Sequence, residues 1–150
     1  MKCLVAYVSV EHGNTEKVAR TIAEAIGADL LEAKDVDPAT VSGYDLIGLG
    51  SGIFMSKFHA RLLRLAKELP RSKSKAFIFS TSGYGKISYH DELRNILEGK
   101  EYKVVADFAC KGWDTYGIFK LVGGINKKRP NEKDLYSAKE FAEKLLTGTP

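Results

Sequence analysis

Ser9, Gly13, Asn14 and Thr15 frame a short loop, Ser-Val-Glu-His-Gly-Asn-Thr, between the apolar run Leu4–Val8 and a stretch of helical periodicity from Glu16 to Ile26. The chemistry these residues can do is anion binding. A strand that stops at Ser9 and a helix that starts near Asn14 leave a turn rich in unpaired backbone N–H groups, with the positive end of the helix dipole aimed at it. Such a turn holds a phosphate without needing lysine or arginine. The hydroxyls of Ser9 and Thr15, the N–H groups of His12, Gly13, Asn14 and Thr15, and the close approach that Gly13 permits form the expected donor set. His12 could also donate as imidazolium, against the plainer role of a solvent-facing loop residue. Taken alone, the segment reads first as an ordinary βα turn with Asn14 as a helix cap. The rest of the chain has to decide.

The elements that would position this loop alternate from end to end. Lys2–Val8 is an apolar, β-branched strand. Glu16–Ile26 is a helix with Val18, Ala19, Ile22, Ala23 and Ile26 on one face, stopped by Gly27. Asp29–Ala33 is a short second strand, and Tyr44–Leu49 a third that is apolar on both faces, as a central parallel strand should be. Lys57–Leu69 follows as a helix, with Phe58, Leu62, Leu65, Ala66 and Leu69 inward, Arg61, Arg64 and Lys67 outward, and Pro70 at its end. Lys75–Ser80 is strand four. Ser88–Leu97 is a helix with Ser88 and Asp91 spaced as a capping box. Tyr102–Cys110 is strand five, and Asn131–Leu146 is a last helix capped by Asn131, with Leu135, Ala138, Ala142 and Leu145 inward. Five strands interleaved with helices predict an α/β fold, a doubly wound five-stranded parallel sheet, as a single domain over residues 1–150.

One connection breaks the rhythm. Lys111–Arg129 spans nineteen residues and carries Gly112, Gly117, Gly123 and Gly124 beside Trp113, Tyr116 and Phe119. Loops of that length in a compact domain are usually functional. A lid over a ligand and a homodimer surface are the two readings.

Composition narrows the classes. The chain has 150 residues, 44% hydrophobic and 28% charged, with a net charge of +4. Its apolar runs are strand-sized, so no membrane span is expected, and the N-terminus lacks a signal-peptide core, which points to the cytoplasm. No aromatic-interleaved basic motif suggests nucleic acid; Lys127-Lys128-Arg129 reads as a solvated loop, the positive balance as an attraction for anionic partners. Cys3 and Cys110 have no metal-type spacing, so no metal site is expected. With two strands between them they would stand about 14 Å apart, too far for a disulfide, and both read as small buried hydrophobes.

In an open parallel sheet, ligands sit beyond the carboxyl ends of the strands, where the strand order reverses. Four loops leave those ends: Ser9–Thr15, Gly50–Ser56, Ser80–Lys86 and Cys110–Tyr116. The second sets Gly50, Ser51 and Gly52 beside Ile53, Phe54 and Met55. The third is Ser80-Thr81-Ser82-Gly83-Tyr84-Gly85, and the fourth holds Gly112 and Trp113. Together they offer one anionic pocket, hydroxyl-rich turns for a polyol chain, and aromatics able to cover a flat ring. Flavin mononucleotide (FMN) has those three parts. Rival doubly wound classes fail on their motifs: there is no carboxylate cluster at the strand ends, no GxGxxG after the first strand, no Walker loop, and no Cys-Arg phosphate loop.

Ser9, Gly13-Asn14-Thr15 and the following Glu16-Lys17-Val18-Ala19 resemble the phosphate loop and first helix of flavodoxins, and the resemblance extends over the whole chain. It implies the strand order 2-1-3-4-5, with FMN at the switch point between the first and third strands, which is the established arrangement for flavodoxins. It further implies an electron-transfer protein without catalytic residues of its own, whose cofactor contacts are Ser9, His12, Gly13, Asn14, Thr15, Gly52, Ile53, Phe54, Ser82, Gly83, Tyr84 and Trp113. Gly50 and Gly52 would let a peptide approach flavin N5. Two features depart from the usual pattern. Three residues, Val10, Glu11 and His12, separate Ser9 from Gly13 where flavodoxins have two. With Tyr44-Asp45, Gly50-Ser51 and Phe58-His59, this is similar to the protoporphyrinogen-dehydrogenase branch. The chain is also basic where carriers of this family are acidic. The alternative is therefore a small FMN-dependent oxidoreductase acting on a quinone or porphyrinogen, with His59 as a proton donor or simply a surface histidine. Partners would be redox proteins of acidic character, or a quinone.

Overall fold

The computed structural model describes residues 1–112 and 124–148. Its strands are β1 (Cys3–Val8), β2 (Asp29–Glu32), β3 (Leu46–Phe54), β4 (Lys57–Phe58), β5 (Lys75–Ser82) and β6 (Lys103–Lys111); its α-helices are α1 (Asn14–Ile26), α2 (Ala60–Glu68), α3 (Asp91–Gly99) and α4 (Glu132–Thr147). The sheet order is β2-β1-β3-β5-β6, with β4 attached to the end of β3. The pairings along this path are all parallel. The five long strands thus take the expected order, and the two-residue β4 is an addition.

That addition corrects the reading of residues 50–59. The strand expected to stop at Leu49 runs on to Phe54, turns at Met55 and Ser56, and returns antiparallel, pairing Ile53 with Phe58 and Phe54 with Lys57. Met55 and Ser56 both have positive φ, 50° and 65°, the backbone of a two-residue hairpin turn. The helix expected from Lys57 therefore begins only at Ala60. Ser88 and Asp91 do not form a capping box either: residues 87–90 form a 3-10 turn, and the N-cap of α3 is His90, without a side-chain cap bond. The capping box at Asn131 is present, reciprocated by Asp134.

Alternation along the buried strands feeds two cores. Leu4, Ala6, Ile47, Leu49, Ala76 and Ile78 face α2 and α3 with Leu62, Leu65, Leu93 and Leu97. Val5, Tyr7, Phe77 and Phe79 face α1 and α4 with Val18, Ile22, Ala138 and Ala142. Cys3 and Cys110 are free and buried in this second core, and burial pushes the Cys110 thiol up to about 12. Gly48 and Gly50 belong to it as well. A Cβ on Gly48 would stand 2.1 Å from the Phe77 ring, and one on Gly50 2.3 Å from the Phe79 ring. Gly50 has a role inside the fold: its missing side chain is the space that Phe79 fills.

Candidate functional site

Parallel register brings the loops together. Val8 pairs with Ser51, Ser51 with Ser80, Gly52 with Thr81, and Thr81 with Cys110, so four strands end at one rim. The strand order reverses between β2-β1 and β3, the place where such sheets bind ligands.

At the first loop, Glu11–Gly13 form a 3-10 turn and α1 starts at Asn14. The N-cap position is held by Gly13, without a side-chain bond, and not by Asn14. His12 and Gly13 are consecutive left-handed residues, φ 64° and 65°. A Cβ on Gly13 would meet no atom within 4 Å, so the cradle is open and the backbone angle is what favours glycine. For the non-glycine residue His12 the left-handed backbone carries a cost that points to function. The hydroxyl oxygen of Ser9 accepts from Glu16 N–H at 3.2 Å, which leaves its proton to donate outward. The Gly13 N–H is already bonded to the Val10 carbonyl at 3.3 Å.

Thr15 is buried, and its hydroxyl lies 2.8 Å from that of Thr81 on β5. Two hydroxyls sharing one hydrogen bond use one proton and retain a second for a further acceptor. This donor set of hydroxyls and helix-start amides, assembled without a cationic side chain, fits the phosphate of FMN. Thr81 is one of the hydroxyls of the third loop; its pairing with Thr15 of the first follows from strand register, which a single chain does not reveal. Asn14 lies over Gly112, where a Cβ would come within 2.6 Å of its Nδ2. A glycine at the start of the long connection is thus explained by contact with the first loop.

On the ring side, Phe54 is half-buried, folded over Gly52 at 3.4 Å from the position of a Cβ, and edge-on to His59. Ile53 packs on the first core. The Ser51 hydroxyl donates to the Gly52 carbonyl at 2.6 Å and accepts from His59 N–H at 3.1 Å, closing the base of the hairpin. His59 Nδ1 accepts from Arg61 N–H at 3.0 Å and so caps α2. Burial and the nearby Arg61 hold its pKa below the ordinary value, consistent with a ring kept as acceptor. In the third loop the Ser82 hydroxyl accepts from Gly85 N–H at 2.7 Å, and the Gly83 carbonyl accepts from Asn126 Nδ2 at 2.9 Å. Tyr84 is 58% exposed, with Lys86 Nζ over its ring. Trp113 lies outside the described residues.

Two further features were not legible beforehand. Arg129 is not a solvated loop residue: it makes a two-pronged ion pair with the buried Asp134. Beneath the ring-side loops, fully buried His90 bridges Ser80 and Asp107. A groove of about 920 Å³ between α4 and the β6 edge lies at the opposite end of the sheet and touches none of the site residues. Among the described residues no cluster of His, Cys, Asp and Glu could hold a metal, and no helix is long and apolar enough to cross a membrane.

With that geometry in hand, comparison with known proteins is informative. Residues 4–112 match the Flavodoxin domain family. An uncharacterised protein of Methanocaldococcus jannaschii is 47% identical over 148 residues, covering 97% of this chain and 99% of that one. Among solved structures, a flavodoxin from the domain Archaea superposes with a TM-score of 0.69 at 17% identity, covering 99% of this chain and 98% of that one. A short-chain flavodoxin associated with a bacterial microcompartment reaches 0.74 at 13% identity, covering both chains completely. Oxidised Flavodoxin 2 from Bacillus cereus reaches 0.71 at 18%, covering 99% of each. At these identities the structural matches speak to fold.

Proposed function

The chain belongs to the flavodoxin family and is an FMN-binding, flavodoxin-like electron-transfer protein; from that premise we propose that Ser9, His12, Gly13, Asn14 and Thr15 hold the phosphate, Ser82 and Gly83 the polyol and ring edge, and Gly52, Ile53, Phe54, Tyr84 and Trp113 the ring. The observation that carries this assignment is the first loop. The Ser9 proton left over after the oxygen caps α1, the spare proton of the Thr15–Thr81 pair and the amides at the start of α1 form an anion cradle without a cationic side chain. FMN supplies the reversible one- and two-electron chemistry. The protein supplies a hydrogen-bonded frame: Ser51 pins the hairpin base, Ser82 folds the third loop, and Asn126 ties that loop to the end of the long connection.

The rim supports an anionic redox partner. Met55, Tyr84 and Ile87 expose apolar surface there, at 79%, 58% and 53%, beside the exposed Lys57, Lys86 and Lys111. An apolar patch fringed by lysines suits an acidic protein surface. We place the protein in the cytoplasm, in keeping with its two free thiols. The three-residue spacing Val10–His12 and this basic rim favour a second reading, an oxidoreductase acting on a quinone or on a porphyrinogen bearing carboxylates.

The absorbance spectrum of the purified protein tests the assignment: a flavin band, or uptake of added FMN, supports it, and a colourless protein that takes up none ends it. Steady-state turnover of a quinone by the reduced protein separates the enzyme from the carrier.

A further inference from the structure

We infer that His90 is a positioning residue for the flavin, coupling the hairpin at residues 52–58 to the loop at residues 83–89 and thereby setting how tightly FMN binds and at what potential it is reduced. The inference rests on the FMN reading above. His90 has 0% exposure, ends the 3-10 turn that follows the third loop, and makes no capping bond to α3. Its ring is held from several sides. Nε2 lies 2.7 Å from Ser80 Oγ, Nδ1 lies 2.7 Å from Asp107 Oδ2, and the Phe58 ring tilts against it with centroids 5.3 Å apart. Arg94, from the first turn of α3, bonds the other oxygen of Asp107.

Proton counting assigns the bonds. The Asp107 carboxylate can only accept, so Nδ1 donates to it; with a single ring proton, Nε2 is then left to accept from the Ser80 hydroxyl. Both Asp107 oxygens are then used, one by His90 and one by Arg94. Burial alone would raise the Asp107 carboxyl, but these two bonds and the Arg94 charge outweigh it and hold it below its ordinary value. The order Ser-His-Asp is that of a hydrolytic triad, yet Ser80 is 0% exposed and no substrate can reach its oxygen. The arrangement holds rather than attacks.

What it holds is the frame of the ring site. Phe58 belongs to β4, the return strand of the hairpin. Ser80 precedes Thr81, which bonds Thr15, and Ser82, which folds the third loop. Asp107 anchors the ring to the edge strand. One buried imidazole therefore touches the return strand of the hairpin and the strand that leads into the third loop, and itself closes the turn that ends that loop; a fully satisfied buried network of this kind rigidifies what it joins.

Two variants test this. His90→Phe keeps a ring against Phe58 and loses both hydrogen bonds; Ser80→Ala loses one. The FMN dissociation constant should rise about tenfold in His90→Phe, the scale of one lost hydrogen bond to a charged group, and less in Ser80→Ala. Midpoint potentials from reductive titration should shift in both. In flavin-free protein, amide exchange should accelerate in residues 53–58 and 83–89 together, with 15–26 unchanged. Wild-type affinity and potentials alongside a lowered Tm would overturn the inference, as would faster exchange in one loop only. If His90→Phe does not fold, Ser80→Ala decides by the same readings. If the wild type takes up no FMN, the functional reading fails, and the paired exchange response alone decides whether His90 couples the loops.

Discussion

The ring of Phe79 stands 2.3 Å from the position that a Cβ on Gly50 would occupy. Both residues are in the middle of the sheet, paired across β3 and β5, and the aromatic ring lies over the bare backbone of its neighbour. Gly50→Ala should lose about 1–3 kcal/mol or more, the cost of overpacking a close-packed core. Urea unfolding measures it. Phe79→Leu in the same chain should recover part of the loss, because substitutions in contact are not additive.

The hydroxyl pair Thr15–Thr81 links the helix start to β5 at 2.8 Å. Thr81→Val strands the buried Thr15 hydroxyl and should cost about 1–3 kcal/mol of stability. Thr15→Val should weaken FMN more than riboflavin, because only FMN carries the phosphate. Fluorescence titration with the two ligands checks this.

Ser9 caps α1 from outside the helix. Ser9→Ala should cost about 0.5–2 kcal/mol, the range for lost helix caps, and should lower FMN affinity as well. Ser9→Gly should lose affinity similarly, since it too lacks the hydroxyl.

Stability should sag in acid in two stages. His59 is held below its ordinary value of 6.5 by burial and Arg61, so the unfolded chain binds its proton first. That contribution is full above pH 6.5 and drains as pH falls through the lower folded value. Asp134 follows: burial would raise it, but bonds from Arg129 and Asn131 hold it below 3.8, so its contribution is lost as pH falls below that value. His59→Ser, which can still cap α2, should remove the first stage, and Asp134→Asn should reduce the second, to which Asp107, also held low, contributes. Denaturation midpoints between pH 3 and pH 8 read both.

Asn131 and Asp134 form the capping box of α4, each side chain bonded to the other's backbone N–H. Asn131→Ala should cost about 1 kcal/mol, measured as a shift in Tm.

Local chemistry fixes the main helices and strands and their faces, but not the hairpin at residues 53–58. Val18, Ala19, Ile22, Ala23 and Ile26 recur at helical spacing and are all buried; Gly27 ends that helix in the left-handed conformation that glycine favours; Asn131, directly after Pro130, caps the last helix. The loop proposed to hold the phosphate was legible for the same reason, since its hydroxyls and glycine lie within seven consecutive residues. Only the tertiary structure decided what each distant residue faces. Whether Gly50 opens toward a ligand or toward Phe79, whether the Thr15 hydroxyl meets solvent or Thr81, and whether Ser80, His90 and Asp107 meet at all depend on strand register and side-chain direction. A parallel sheet sets these through pairings between residues tens of positions apart, and nothing local to either partner records them.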